Sequence, residues 1–274
     1  MDTFLIAHAS LLRLAAFVGV LGLMMCWELL SPRRALGSAR LKRWSTNLGL
    51  SLLNTVAARL LIPLAVTGAA LWAQDKGYGL FNNVPLSQFI SYPLSLLVLD
   101  LLVYGQHVAF HRIAILWRVH RMHHADTDLD ATSGIRFHPI EILLSTLIKM
   151  AAVVALGAPV GAVILFEILL NATAMFNHSN VRIGSRTDAL LRQFVVTPDM
   201  HRVHHSVLPA EHHRNFGFNL SLWDRLLGTY RAQPRDGHEG MTIGLKAFPA
   251  PAPSSLLWNL AVPFLTVPSQ TERI

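Results

Sequence analysis

Cysteine is almost missing from this 274-residue chain: there is one, Cys26, inside an apolar run. A single cysteine closes no disulfide within the chain and builds no thiolate metal cage. Any metal held by one chain must therefore sit on nitrogen and oxygen. Charge is scarce as well. Asp, Glu, Lys and Arg make up 14% of the residues, where a soluble domain carries roughly 25%. Apolar residues make up 52% and mean hydropathy is +0.41, the composition of a membrane protein. Acids are outnumbered, with 16 Asp and Glu against 23 Lys and Arg, for a net charge of +7. That excess fits cytoplasmic loops under the positive-inside rule. It is not gathered into one soluble face, as nucleic-acid binding would require. GxGxxG, CxxCH and a cysteine set for an iron–sulfur cluster are all absent, so the sequence encodes no recognisable electron carrier.

The apolar residues fall into long runs. Residues 4–30 form a first expected span. It has no basic leader and no small-residue cleavage site, so it does not read as a cleaved signal peptide. Residues 31–47 follow as a basic loop with Arg33, Arg34, Arg40, Lys42 and Arg43, placed in the cytoplasm. Residues 48–73 form a second span, 75–87 an external turn and 88–106 a third span. The run at 140–177 is too long for one crossing of a ~30 Å core. Interrupted at 157–161, it predicts a helical hairpin. Residues 181–250 are polar and basic, and 254–268 are short and proline-broken, an interfacial or packed helix. The expected fold is an all-α polytopic membrane bundle of about four to five spans, hairpin included, with a cytoplasmic histidine-rich cap.

Histidine is what the chain has in plenty. His107 and His111 form an HxxxH pair, and His120, His123 and His124 an HxxHH triplet. A second HxxHH, His201, His204 and His205, comes later. Positions i, i+3 and i+4 share a helix face, so each cluster presents its rings together. His111 and His120 would lie on opposed faces of one unbroken helix, so either a break lies within 112–119 or the two clusters serve different sites. His138 and His178 bring the candidate ligands to ten. His8 and His238 read as ordinary polar residues. His212 and His213 lack a third partner at helical spacing and stay outside the set. Imidazoles in this number exceed the needs of one metal, and imidazole suits Fe, Zn, Cu and Ni.

HVAFH, HRMHH, RFHP, FNHSN and HRVHH, in this order between apolar runs, resemble the fatty acid hydroxylase/sterol desaturase superfamily of integral-membrane di-iron enzymes. NFGFNLSLWDRLLGTYR at 215–231 is similar to that family's tail. The resemblance covers about residues 90–232. It implies 1–87 as N-terminal transmembrane helices, 88–232 as the catalytic domain and 233–274 as a C-terminal tail. It also implies two iron ions on His107, His111, His120, His123, His124, His138, His178, His201, His204 and His205. Zinc is able to replace iron in preparations. The implied reaction is O2-dependent hydroxylation or desaturation of an unactivated C–H bond in a lipid. Electrons would come from an external reductase or carrier protein. A metal transporter or metal-binding membrane protein is the alternative. Transporters place their sites near the bilayer midplane on broken helices, whereas here the clusters lie just beyond span ends.

Asp100, Glu167, Asn171 and Asp224 are expected behind the ligands. Asp100, Tyr104, His107 and His111 line one helical stripe, and Glu167 and Asn171 align with His178. Two such stripes predict helices that face each other. Glu167 either lines a substrate cavity or pairs with a basic group. Trp223, Asp224 and Arg225 are expected to brace the second HxxHH.

Overall fold

The computed structural model describes residues 2–84 and 86–266. Pro85 of the expected external turn and residues 267 and 268 of the expected C-terminal helix lie outside them. The helices run α1 Asp2–Leu30, α2 Arg40–Leu61, α3 Ala65–Lys76, α4 Leu80–Asn83, α5 Gln88–Arg112, α6 Ala114–His124, α7 Pro139–Leu156 and α8 Val160–His178. Short helices follow: α9 Ser185–Leu191, α10 Pro198–His204, α11 Pro209–His212, α12 Leu222–Leu226, α13 Gly237–Gly240 and α14 Leu256–Ala261. Among the described residues there is no strand. Five stretches are long and apolar enough to cross a membrane: α1, the run Arg40–Asn83, α5, α7 and α8. This is an integral membrane helical bundle.

Three boundaries differ from expectation. The third span does not end at 106: α5 continues to Arg112, so His107 and His111 stand in its last turns and not beyond its end. The second span is not one helix over 48–73. Pro63 removes a backbone donor, Ile62 leaves helical geometry at φ −131° and ψ 65°, and α3 restarts at Ala65. In addition, α2 starts at Arg40, so Arg40, Lys42 and Arg43 belong to a helix and not to a loop. Arg43 is buried. It donates to Asp126 at 3.0 and 2.9 Å, to Asp130 at 2.5 Å and to the Asp128 carbonyl at 2.7 Å. A buried guanidinium is tolerated only with such partners, and these lie more than eighty residues away, where no local pattern reveals them.

The hairpin forms where expected. Pro139 opens α7 at a position where a missing N–H costs nothing. Gly157 closes it in the left-handed region at φ 67°. The apolar core lies between the spans, with Leu99 and Val103 of α5 packed among Val153 of α7 and Val163, Ile164 and Phe166 of α8. α1 packs along α8.

All the loops that matter meet at one end of the bundle. At the end of α1, Glu28 Oε1 accepts from the backbone N–H of Ala131 and of Asn180, both at 2.7 Å. Ser38, between α1 and α2, donates to Asp128 at 2.5 Å. The 252–264 segment is a packed element, since Arg121 donates to the Val262 carbonyl at 2.7 Å and Arg136 to Asn259 Oδ1 at 2.5 Å.

Candidate metal centre

The helix break falls at Ile113, whose extended backbone (φ −100°, ψ 115°) separates α5 from α6. This turn folds the HxxHH face of α6 back onto the HxxxH face of α5. α10 brings the second HxxHH and α8 brings His178. The outcome is two groups of buried rings. His107, His111, His120, His124 and His204 form one, and His123, His178, His201 and His205 the other, with one ring nitrogen from each within 4.8 Å of its fellows. The groups touch: the His124 and His205 rings stack at 4.5 Å.

Hydrogen bonds to carbonyls decide which nitrogen carries the proton. A neutral imidazole has one N–H and one lone pair, and a carbonyl only accepts. His123 Nδ1 meets the Arg136 carbonyl at 2.9 Å, and His178 Nδ1 meets the Ala174 carbonyl at 2.7 Å. Both Nδ1 atoms therefore donate, and both Nε2 atoms keep lone pairs. Those two Nε2 atoms face each other at 3.1 Å. The other group repeats the arrangement. His107 Nδ1 donates to the Phe216 carbonyl and His120 Nδ1 to Glu141 Oε1, each at 2.8 Å, while their Nε2 atoms lie 3.2 Å apart. His204 Nδ1 donates to the Arg214 carbonyl at 2.7 Å, leaving its buried Nε2 with no hydrogen-bond partner. A proton between facing lone pairs would relieve their repulsion. Burial opposes that, holding His123, His124, His201, His204 and His205 well below the usual histidine range, with neighbouring histidines adding to the effect. Neutral rings with aligned, unpaired Nε2 atoms are what a divalent metal binds. The donor set fits a metal in each group.

His138 is not brought to either group. Its Nδ1 accepts from the Ile140 N–H at 3.2 Å as the cap of α7, and its Nε2 lies 3.3 Å from the Leu260 carbonyl. Glu167 and Asn171 also stand apart. Glu167 pairs with Arg13 of α1 at 2.5 Å, and Asn171 donates to the Glu167 carbonyl at 2.8 Å. α5 and α8 do pack against each other, as the stripes predict, but Asp100 looks toward the 215–229 loop and Glu167 toward α1. Asp100 touches no histidine. It accepts from Trp223 Nε1 at 2.8 Å and from the Leu220 N–H at 3.2 Å. Asp224 accepts from the Phe216 and Gly217 N–H groups, both at 2.8 Å. The Phe216 carbonyl holds His107, so the loop that Asp224 braces supports the first histidine pair, and through the Arg214 carbonyl on His204 and Asn215 on the Met200 carbonyl it also reaches the second HxxHH. Trp223 anchors the same loop on Asp100, and Arg225 covers the Tyr230 ring at 4.1 Å.

Three residues outside the expected set join the site. Glu141 supports His120. The buried His212 stacks on Trp117 at 5.7 Å, and His213 lies 5.6 Å from His111. Glu141 carries a signal in hindsight, three residues after His138 in the first turn of α7. His212 and His213 carry none, because a tertiary turn places them.

The fatty acid hydroxylase family model matches residues 92–229, just over half of the chain. An ornithine lipid hydroxylase of Rhizobium tropici is 33% identical over 171 residues, 62% of this chain and 49% of that protein. An alkylglycerol monooxygenase of Homo sapiens is 26% identical over 176 residues, covering 63% and 38%. A Delta(7)-sterol 5(6)-desaturase of Aspergillus fumigatus is 24% identical over 179 residues, covering 63% and 50%. The matches thus span about half or less of these relatives' own length. No solved structure matches the chain. The histidine boxes in their order, the two imidazole groups they build and the extent of the family match agree: this chain belongs to the fatty acid hydroxylase family.

Proposed function

We propose that the protein is a di-iron, O2-dependent oxidoreductase that hydroxylates or desaturates an unactivated C–H bond of a membrane lipid. The observation that carries this reading is the pair of buried imidazole groups whose ring nitrogens converge, with facing Nε2 atoms 3.1 and 3.2 Å apart. His107, His111, His120, His124 and His204 would hold one metal, and His123, His178, His201 and His205 the other. His138 is left as a helix cap. An unactivated C–H bond offers side chains neither an acidic proton nor an electrophile, so bound iron and O2 would supply the oxidising power.

The protein's own part is orientation and exclusion of water. Carbonyls of Arg136, Ala174, Phe216 and Arg214 and the Glu141 carboxylate fix the ring tautomers. The nine rings are at most 3% exposed, which keeps the site dry. A lipid substrate suits a centre built at the ends of membrane spans, and the relatives' names point to lipids of several classes. Electrons would come from a separate reductase or carrier protein. The basic residues of the 31–47 segment support a cytoplasmic side for this end of the bundle.

Lipid mass spectrometry under 18O2, comparing cells with wild-type protein and with His123→Ala, tests the reading. An 18O-labelled or desaturated lipid that requires His123 is expected. Identical lipid profiles in the two strains would refute the proposal.

A further inference from the structure

The end of the family-like tail carries side chains that the metal centre does not use. α9 and α12 lie side by side, joined by the Ser221 N–H to the Phe194 carbonyl at 3.1 Å and by Arg225 Nη2 to the Arg192 carbonyl at 2.8 Å. Between them is a groove of about 530 Å³ lined by Ala189, Arg192, Gln193, Arg225 and Tyr230. Arg192 is 6% exposed, and its Nε has no hydrogen-bond partner. Its other contacts are an ion pair with Asp188 and a bond to the Ala232 carbonyl at 2.8 Å. Arg225 is exposed and its guanidinium carbon sits 4.1 Å from the centre of the Tyr230 ring, a contact that helps hold it in place.

The rim of the groove is apolar and open: Leu190 is 60% exposed, Phe194 66%, Leu226 67% and Leu227 57%. Such a patch on a water-facing surface would be a liability. Its depth explains it. Trp223 of α12 reaches Asp100, which precedes the end of α5 at Arg112 by twelve residues, about 18 Å along the axis. α12 therefore lies against the flank of a membrane span. Leucine and phenylalanine there suit acyl chains, and the arginine side chains beside them are long enough to snorkel toward the headgroups.

We propose that the α9–α12 groove binds the anionic headgroup of a bilayer lipid, with Arg192 and Arg225 on the phosphate and Gln193 and the Tyr230 hydroxyl as further hydrogen-bonding groups. Asp188 neutralises part of Arg192, which leaves Arg225 as the main charge. A basic groove between membrane elements is a recurrent way of holding such lipids. The apolar rim selects a lipid over a free phosphate ion.

Native mass spectrometry of the full chain tests this without reference to turnover, so its result stands apart from that of the reaction proposed above. The protein is incubated in detergent with an equimolar mixture of phosphatidylglycerol and phosphatidylcholine. Wild type is expected to retain phosphatidylglycerol selectively. Arg225→Gln and, separately, Gln193→Glu should each lower that retention by about tenfold, the weight of one hydrogen bond to a charged group. Gln193 is exposed, so its variant probes the groove even if Arg225→Gln folds poorly. Equal retention of the two lipids, or retention unchanged in Gln193→Glu, overturns the proposal. Displacement of the lipid by inorganic phosphate at the same concentration would assign the groove to a free anion. Unchanged lipid retention together with loss of an acidic carrier protein's binding would assign it to a protein partner. Both outcomes overturn it too.

Discussion

Glu141 accepts the His120 Nδ1 proton at 2.8 Å, and its second carboxylate oxygen has no partner. A carboxylate behind a metal-binding histidine fixes the ring's tautomer and raises its basicity. Glu141→Ala should therefore lower metal affinity or turnover about 10–100-fold. Iron content and product formation, measured on the same preparation, check this. Normal values for both would show that the contact only holds helices together. The histidines also set a pH dependence. Burial depresses His123, His124, His201, His204 and His205 well below 6.5, and His212, His213 and His238 to about 4. In the unfolded chain the same rings take up protons from about pH 6.5 downward. Below that pH the unfolded state binds more protons, so folding stability falls as pH falls. The metal-free protein should lose melting temperature steadily from pH 6.5 toward 4 and hold a plateau above 7. A flat profile across that window would mean that the rings are not buried as neutral imidazoles.

Elements carry these residues to one another through close backbone approaches. The turn at residues 131–135 crosses α8 so tightly that a Cβ on Gly134 would lie 2.3 Å from the Ala174 carbonyl oxygen. That oxygen accepts from His178. Backbone cannot yield as a flexible side chain does, so Gly134→Ala should cost about 1–3 kcal/mol. It should also reduce metal retention by shifting His178. A thermal melt together with metal analysis gives the answer, and an unaltered protein would contradict the packing described. Asp224→Asn probes the C-terminal loop. One of its two accepted backbone N–H groups would then face an amide N–H, a loss of about 1–3 kcal/mol. The break at Ile113 is legible in the sequence, because the faces of HxxxH and HxxHH oppose each other on one helix. The hairpin is legible too, from length and from Gly157. Arg43 is not legible: a local reading puts a basic residue in a loop, and only Asp126 and Asp130 explain its place inside the protein. Burial alone would push Asp126 up, yet Arg43 and Arg136 overcome that and hold it at about 2, so it stays charged.

For the whole molecule, hydropathy locates the spans and charge suggests their orientation. Neither shows which polar residues meet. Asp100 and Glu167 look equivalent in sequence, as acids inside spans, but one anchors the C-terminal loop and the other ties α8 to α1. The contacts of Glu28, Ser38 and Arg43 put the 31–39 segment, the 126–131 turn that follows the first HxxHH, and Asn180 at one end of the bundle. Gly184 is exposed at that end with nothing within 4 Å, and Asp75 is exposed near the end of α3. Single cysteines at these two positions, with Cys26 replaced by serine, should label from opposite faces of the membrane, Gly184→Cys from the cytoplasm. Labelling of both from one face would invert or break the topology.

The central claim is that two metals sit on these nine imidazoles. Metal analysis of purified wild-type protein beside His123→Ala and His204→Ala tests it most directly. Wild type should hold about two irons per chain, or zinc in their place after overexpression. Each substitution removes a ring from a different group, and each should lower the metal content while the protein remains folded by thermal melt. Full occupancy in both folded variants would contradict the account.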